Sequence, residues 1–420
     1  MSISFSDIYN VGTRKVLPAL VMLFISYYLY SNLYKDTLFE NNLNSSEQEL
    51  EKGSVREVLN TRGRLTTAGW GTNPSLINLT PEYIRPTTSI LKEINAYRYK
   101  KWERYVFTSR DITFSLMVYD FAYCGGYSLF YSDIRDEDTS IKRFSSILFG
   151  EGTSVSNNCH EKCYSITVSA KEGNALKKAD FYKFNVNSHK VRVNFQEKGL
   201  NMELELTAST IKNDNLSSIV NIAGISDDSS LFYVNTNTNN MNVKGKIVIN
   251  GKTLQPSLFK VSYNSVVGVF PLRAKWYWIT ANGVAKDNSS TSIGLNFGYG
   301  LVNPLSSVST EDAFNVNGVT YKLKSTKIDL SENFNNSYFD DSESSIIKIY
   351  TQNNESNENE CNIRFKPQKK LIDSYNIYYV IYLKTNISHG IFSGYCKSKN
   401  GKRYEFDSLY GSVELKDNMF

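Results

Sequence analysis

Apolar and polar residues alternate with a period of two through most of the chain, and no long stretch repeats at the 3.6-residue spacing of an amphipathic helix. The runs Tyr105 to Val118, Lys190 to Glu205, Lys244 to Ile249, Ala274 to Thr280, Ser292 to Phe297, Ile346 to Tyr350 and Ile377 to Leu383 are rich in Tyr, Val, Ile and Phe and are predicted as strands. Asn-Gly pairs begin at Asn250, Asn282, Asn317 and Asn400. The dipeptide suits a two-residue hairpin whose central residues both need positive φ, so each is predicted as a hairpin tip. Asn235 to Asn242 and Asn353 to Asn362 have the composition of long surface loops, and residues 35–64 that of a polar stalk. The pattern predicts an all-β fold of barrels or sandwiches.

A length of 420 residues exceeds one ordinary domain, and two β domains, 65–255 and 256–420, are expected. Ahead of them Val16 to Tyr34 is free of charge and close to the roughly 20 residues that cross a bilayer. It is predicted as a single transmembrane anchor behind a tail at residues 1–15. A cleaved signal peptide is the rival, although no small-x-small cleavage site follows the apolar run; a first helix packed on the protein's own core is another. Arg14 and Lys15 precede the span, which places the tail in the cytosol and the body in a lumenal or extracellular space.

An internal repeat supports the domain count. Lys101 and Trp102 open one strand, and SLMVYDFAYCGGY follows, ending near Gly125 and Gly126. Lys275 and Trp276 open another, and SIGLNFGYG follows at nearly the same distance, ending near Gly298 and Gly300. Duplication of a barrel-like module is expected, each with a tryptophan plugging one end.

Five segments together resemble a known family: GRLTTAGWGTNPSLIN (Gly63 to Asn78), KKWERYVF (Lys100 to Phe107), the block from Gly268 to Leu323, TEDAFNVNG (Thr310 to Gly318) within it, and HGIFSGYCKSKNGKRYEFDSLYGSVE (His389 to Glu414). In order and spacing the chain resembles the DUF2804 domain family. It departs at Phe270, where the family pattern has Trp, and at Asp312, where it has Asn. The resemblance implies two lipocalin-like β domains in tandem, distantly like carotenoid hydratase and tocopherol cyclase-type proteins. It thereby implies a long apolar ligand. A fold hosts many functions, so the residues need their own reading.

Alternation places Arg273, Lys275 and Tyr277 on one face of their strand and Ala274, Trp276 and Trp278 on the other. One reading lines a ligand cavity with Trp102, Trp276 and Trp278, takes Arg273 as polar anchor, and adds Asn296 and Asp312 as further ligand-binding groups. The plain alternative makes the tryptophans core and pairs Arg273 with Glu311 or Asp312. Gly294, Gly298 and Gly300 mark either close approach to a ligand or a bulge or barrel corner. An enzyme of the hydratase or cyclase kind would need an acid in an apolar setting, where desolvation raises its pKa. Asp120, inside LMVYDFAY, and Glu311 are the candidates; a structural hydrogen bond is the other reading of Asp120.

Other chemistries are excluded or unsupported. Gly251-Lys252-Thr253 lacks the spacing of a phosphate loop, no serine sits in a nucleophile elbow, and His160, His189 and His389 lie in no triad context. Cys159, His160 and Cys163 form half a metal site with no second half, so no metal or cofactor is expected. An oxidising compartment could pair Cys361 with Cys396 and Cys159 with Cys163, leaving Cys124 free. A net charge of +5 over 47 basic and 42 acidic residues, with no dense basic block, argues against a nucleic-acid partner. The expected function is therefore membrane-anchored binding or presentation of a lipid or other hydrophobic small molecule. The alternatives are an enzyme acting on a lipid or isoprenoid, and an ectodomain with no ligand.

Overall fold

The computed structural model describes residues 48–50, 56–60, 63–72, 77–78, 98–121, 125–135, 139–146, 163–172, 175–185, 188–197, 200–211, 218–225, 231–271, 273–301, 310–324, 326–329, 346–352, 358–377 and 381–419. Nearly all of these are strand. In chain order they form β1 (Arg56–Glu57), β2 (Gly69–Gly71), β3 (Ile77–Asn78), β4 (Tyr99–Thr108), β5 (Ile112–Asp120), β6 (Gly125–Asp133), β7 (Thr139–Ser146), β8 (Cys163–Glu172), β9 (Ala175–Asn185), β10 (Ser188–Glu197), β11 (Leu200–Ser209), β12 (Ser218–Gly224), β13 (Phe232–Ile249), β14 (Lys252–Leu254) and β15 (Lys260–Val269). Then come β16 (Arg273–Val284), β17 (Ser292–Tyr299), β18 (Ala313–Val316), β19 (Val319–Lys322), β20 (Thr326–Asp329), β21 (Ile347–Thr351), β22 (Glu360–Ile377), β23 (Ile381–Lys397) and β24 (Arg403–Met419). Among the described residues no helix is long and apolar enough to cross a membrane, and Val16 to Tyr34 lie outside them.

Two large antiparallel sheets share one plan. The first runs β7-β6-β5-β4-β15-β13-β11-β10-β9-β8, with β12 and β14 also on β13 and β2 on β12. The second runs β19-β18-β17-β16-β24-β23-β22-β21-β20. In each, a meander that opens on a Lys-Trp strand joins the rest of its sheet by pairing that strand with the last one, β4 with β15 and β16 with β24. Matched topology around Trp102 and Trp276 is what the sequence repeat predicts. β15 completes the first sheet, and the chain passes to the second between Val269 and Arg273.

Each sheet curls on itself. Tyr127 of β6 meets Phe195 of β10 edge to face with ring centroids 6.0 Å apart, and Tyr105 of β4 hydrogen-bonds His189 of β10 at 2.9 Å. The described sheet paths end at β7 and β8, and at β19 and β20, without closing. They are half-barrels where barrels or sandwiches were expected. Curling creates three cores. One fills the first concavity, with Phe107, Phe114, Val193 and Ile247. Another fills the second, with Tyr277, Ile279, Phe297 and Phe365. The third lies in the seam between the two sheets, where Trp102, Val106 and Phe270 from one side meet Ala274, Trp276 and Trp278 from the other.

Several expectations are corrected. Tyr105 to Val118 and Lys190 to Glu205 are each a hairpin of two strands; in the first, the Ser109 hydroxyl caps the turn by accepting the Ile112 N–H at 3.1 Å. Asn250-Gly251 and Asn317-Gly318 have positive φ at both residues and turn β13 into β14 and β18 into β19. Asn282-Gly283, by contrast, lies inside β16, because the Asn282 side chain is buried in the seam and bonded to Ser262 at 2.9 Å. Asn235 to Asn242 is no surface loop but the middle of β13, with Asn235, Asn237, Asn239 and Asn240 buried. Leu50, Val58 and Leu59, from the segment expected as a polar stalk, are buried in the seam core. Their apolar side chains have that core within reach, which a solvated stalk would leave exposed.

Candidate functional site

Beside its aromatic core the seam carries a buried polar layer, and most of the residues singled out in the sequence meet there. Trp102 donates its indole N–H to Asn264 at 3.0 Å, and Asn264 donates to the carboxamide oxygens of Asn235 and Asn237, each at 2.8 Å. Asn235 and Asn237 in turn donate to one oxygen of Glu311, the latter at 2.7 Å. From the other sheet, Trp278 donates to Asn296 at 2.9 Å, and Asn296 donates to the Glu311 backbone carbonyl at 2.9 Å and carboxylate at 3.2 Å. A continuous chain of bonds thus joins two indoles through four asparagines and one glutamate. Burial pushes Glu311 above the usual carboxylate range, against the amide bonds from Asn296, Asn237 and Asn235 and the field of Lys322.

A second buried carboxylate beside this layer, Glu414, behaves oppositely. Glu414 stands beside Trp278 in the β16–β24 register and is ion-paired with Arg104, whose guanidinium lies 5.2 Å from the centre of the Trp278 ring. Burial would raise Glu414 too, but Arg104 and Lys416 outweigh it and hold the group below its ordinary value. Nearby, His389 stacks on Phe130 of the first sheet at 5.2 Å, and neither ring nitrogen reaches a partner at hydrogen-bonding geometry. Burial pushes it down to about 4; the nearby Glu414 carboxylate opposes this too weakly to reverse it.

The glycines acquire a definite role here. A Cβ on Gly298 would stand 2.1 Å from Oε1 of Glu311, and one on Gly294 would stand 2.7 Å from Cβ of Asn239 on the opposite sheet. They allow close approach of protein to protein, neither to a ligand nor at a barrel corner. Asp312 accepts the Gly298 N–H at 3.0 Å and fixes that backbone. Of Asp120 only the backbone is described, opposite Lys101 and Gly125, so its part in the layer lies outside the described residues.

Arg273 belongs elsewhere. Its guanidinium pairs with Asp417 at 3.4 Å, which corrects the expected partners Glu311 and Asp312. Directly opposite residues of antiparallel strands point to one face, and the register sets Ile372, Asn386, Leu415, Tyr277 and Tyr299 in one row across β22, β23, β24, β16 and β17. Leu415 and Tyr277 belong to the core of the second concavity, so this row and its neighbours line that concave face. Tyr277 is fully buried, yet Ile372 in the same row is 45% exposed. The row therefore runs from the buried core out to an exposed end, and Arg273, Lys275 and Asp417 stand on the same face beside it. Burial there pushes the Tyr277 hydroxyl well above the ordinary phenol range, with Tyr299 adding to the effect.

Sequence reasoning missed Arg104, Asn235, Asn237, Asn264, His389 and Glu414. The alternation Asn-Thr-Asn-Thr-Asn from Asn235 was a usable signal, being strand periodicity written in polar residues. Among the described residues no cluster of His, Cys, Asp and Glu could hold a metal.

Two curled antiparallel sheets joined through a buried polar seam define a tandem half-barrel β protein. The chain belongs to the DUF2804 family, a domain of unknown function, whose model matches residues 47–420. No curated protein matches it. Among solved structures it is similar to a protein assigned as an AttH from Nitrosomonas europaea, at 12% identity and a TM-score of 0.43, covering 80% of this chain and 98% of that one. It is also similar to kievitone hydratase from Nectria haematococca, at 10% identity and a TM-score of 0.45, covering 90% of this chain and 98% of that one.

Proposed function

We propose that this chain binds or presents a lipid or other hydrophobic small molecule on the concave face of the second half-barrel, held at a membrane by Val16 to Tyr34. The observation that carries this reading is the exposed end of the row on that face, where Ile372 is left 45% exposed in line with buried Leu415 and Tyr277. An apolar concave surface with a few polar groups at its rim has the character of a small-molecule site. The disulfide Cys361–Cys396, which joins directly paired residues of β22 and β23, supports a body in an oxidising compartment outside the cytosol.

Native mass spectrometry of the full chain extracted in mild detergent tests the reading. Bound lipid-sized mass is expected, and less of it in Ile372→Glu. A chain that stays empty when offered a total lipid extract would defeat the proposal. Protease protection of tagged termini in sealed vesicles tests the orientation independently.

A second reading, an acid catalyst acting on such a molecule, is favoured by the opposed shifts of Glu311 and Glu414. Environments that separate two carboxyl groups in this way suit a division into proton donor and fixed anion. Glu311→Gln should then abolish turnover of a lipid extract while leaving lipid binding intact. Unchanged turnover would remove Glu311 from that role.

A further inference from the structure

We propose that the ligand of the second concavity is a single-tailed amphiphile with an anionic head, a carboxylate or phosphate monoester, received by Lys370, Lys384 and the Ser388 hydroxyl. This rests on the hydrophobic-ligand reading above and adds the chemistry of the head group.

Three rows of side chains converge at the exposed end. The innermost is Lys370, Ser388, Val413, Ile279 and Phe297; the next is the Ile372 row; the outermost is Ser374, Lys384, Asp417 and Lys275. Val413, Ile279 and Phe297 are fully buried and form an apolar floor. Ser388 stands on that floor at 1% exposure with its hydroxyl oxygen unpartnered, and Asn386 beside it leaves its carboxamide oxygen unpartnered. A buried polar atom left without a partner is destabilising by about 1–3 kcal/mol, so such atoms mark a place where something else bonds.

Charge gives the second argument. Among the described residues of these rows and the rim, Arg273, Lys275, Lys370 and Lys384 are cationic and Asp417 alone is acidic. Asp417 is already engaged by Arg273. Lys370 is lowered from its ordinary value by burial first and by the neighbouring Lys384 second, and the attraction of an anion held between the ammonium groups would offset both. Ser388 can donate its hydroxyl proton to the same anion, and Asn386 can accept from a hydroxyl next to the head. The tail then lies on Ile372, at the exposed end of the row that leads in to buried Leu415 and Tyr277. A neutral ester keeps the tail contacts and forfeits the charge-assisted ones.

Equilibrium binding of radiolabelled oleate and methyl oleate to the full chain in neutral detergent tests the inference. Oleate should bind roughly tenfold or more tightly than its ester, as expected when charge-assisted hydrogen bonds to a head group are lost. The double variant Lys370→Gln, Lys384→Gln should lose that advantage and bind methyl oleate as before, whereas Lys246→Gln on the first sheet should change neither. Equal wild-type affinities would overturn the anionic head and leave the hydrophobic-ligand reading standing. Binding of neither compound would overturn both. An oleate preference that survives the double variant would remove the head group from Lys370 and Lys384. The wild-type ratio needs no variant, so misfolding of the double variant would not rescue a failed inference.

Discussion

Trp102 and Trp276 hold matching places in the two sheets and stack on each other across the seam, with ring centroids 6.3 Å apart and planes inclined by 20°. Phe270 closes the group at 5.5 Å from Trp102 and 6.4 Å from Trp276. It supplies the aromatic surface at the position where a Trp was expected. Each sheet thus contributes one indole to a contact that neither sheet can make alone. Trp102→Ala and Trp276→Ala are each expected to destabilise the protein by about 3–5 kcal/mol, the usual range for a buried large aromatic. Circular dichroism arising from coupled indoles should vanish in both. Denaturant midpoints within error of wild type would show that the seam does not depend on this pair.

Gly298 gives a second test. The Glu311 side chain that an added methyl would meet is buried and held by three amide groups, so it cannot move aside. Gly298→Ala should cost about 1–3 kcal/mol, as overpacking does. In the Glu311→Ala background the same substitution should cost much less, because the two positions share one contact. Additive losses would mean that the glycine serves something other than the glutamate.

A third concerns acid. His389 titrates near 4 in the folded protein against an ordinary value of 6.5, so between these values the unfolded chain binds the proton that the folded chain refuses. Its contribution is present above pH 6.5 and lost as pH falls towards 4, by up to about 3 kcal/mol. Arg104 and Lys369 face the ring and add to the effect, while Glu414 opposes it. Glu311 acts in the reverse sense, since a raised carboxyl favours the folded state as pH falls through its folded value. His389→Leu should flatten the fall in stability between pH 6.5 and 4, as measured by urea unfolding at a series of pH values. An unchanged slope would exclude the histidine as its source.

The disulfide offers a fourth. Cys361 and Cys396 are separated by 35 residues, and closing a loop of that size constrains the unfolded chain by about 3–4 kcal/mol. The double variant Cys361→Ala, Cys396→Ala should unfold at correspondingly lower denaturant, and wild-type protein should resist alkylation at both positions unless reduced. Free thiols in protein purified without reductant would contradict the bond.

Strand periodicity made the fold class legible, and the Lys-Trp repeat made the shared plan of the two sheets legible, because both are local patterns that survive into the structure. The seam was half legible. Trp102, Trp278, Asn296 and Glu311 were recognisable as unusual residues, but the partners that join them come from β13 and β15, distant in sequence and read through composition alone. Asparagine-rich sequence ordinarily means solvent; here matching carboxamides and hydroxyls from the adjacent strand β15 and from the facing sheet make burial possible. The partner of Arg273 was misassigned because alternation identifies the opposite faces of a strand without saying which face meets which neighbour. Nothing local marks Lys370, Lys384 or Ser388, which the β22–β23 register brings to one face.

β13 carries one residue more than β15 between Thr238 and Met241, with Asn240 at φ 64°. Ahead of that extra residue Asn235 and Asn237 face the seam; after it Met241, Val243 and Ile247 face the first concavity. The strand is therefore a junction between two environments with opposite solvent preferences, and its phase matters more than any single side chain in it. Deleting Asn240 alone would turn either the carboxamides into the oily interior or the aliphatic residues out to the solvent face that Lys244 and Lys246 occupy. Length at this point is thus under tighter constraint than composition, and relatives that keep the architecture should vary the residues of this strand far more readily than their number.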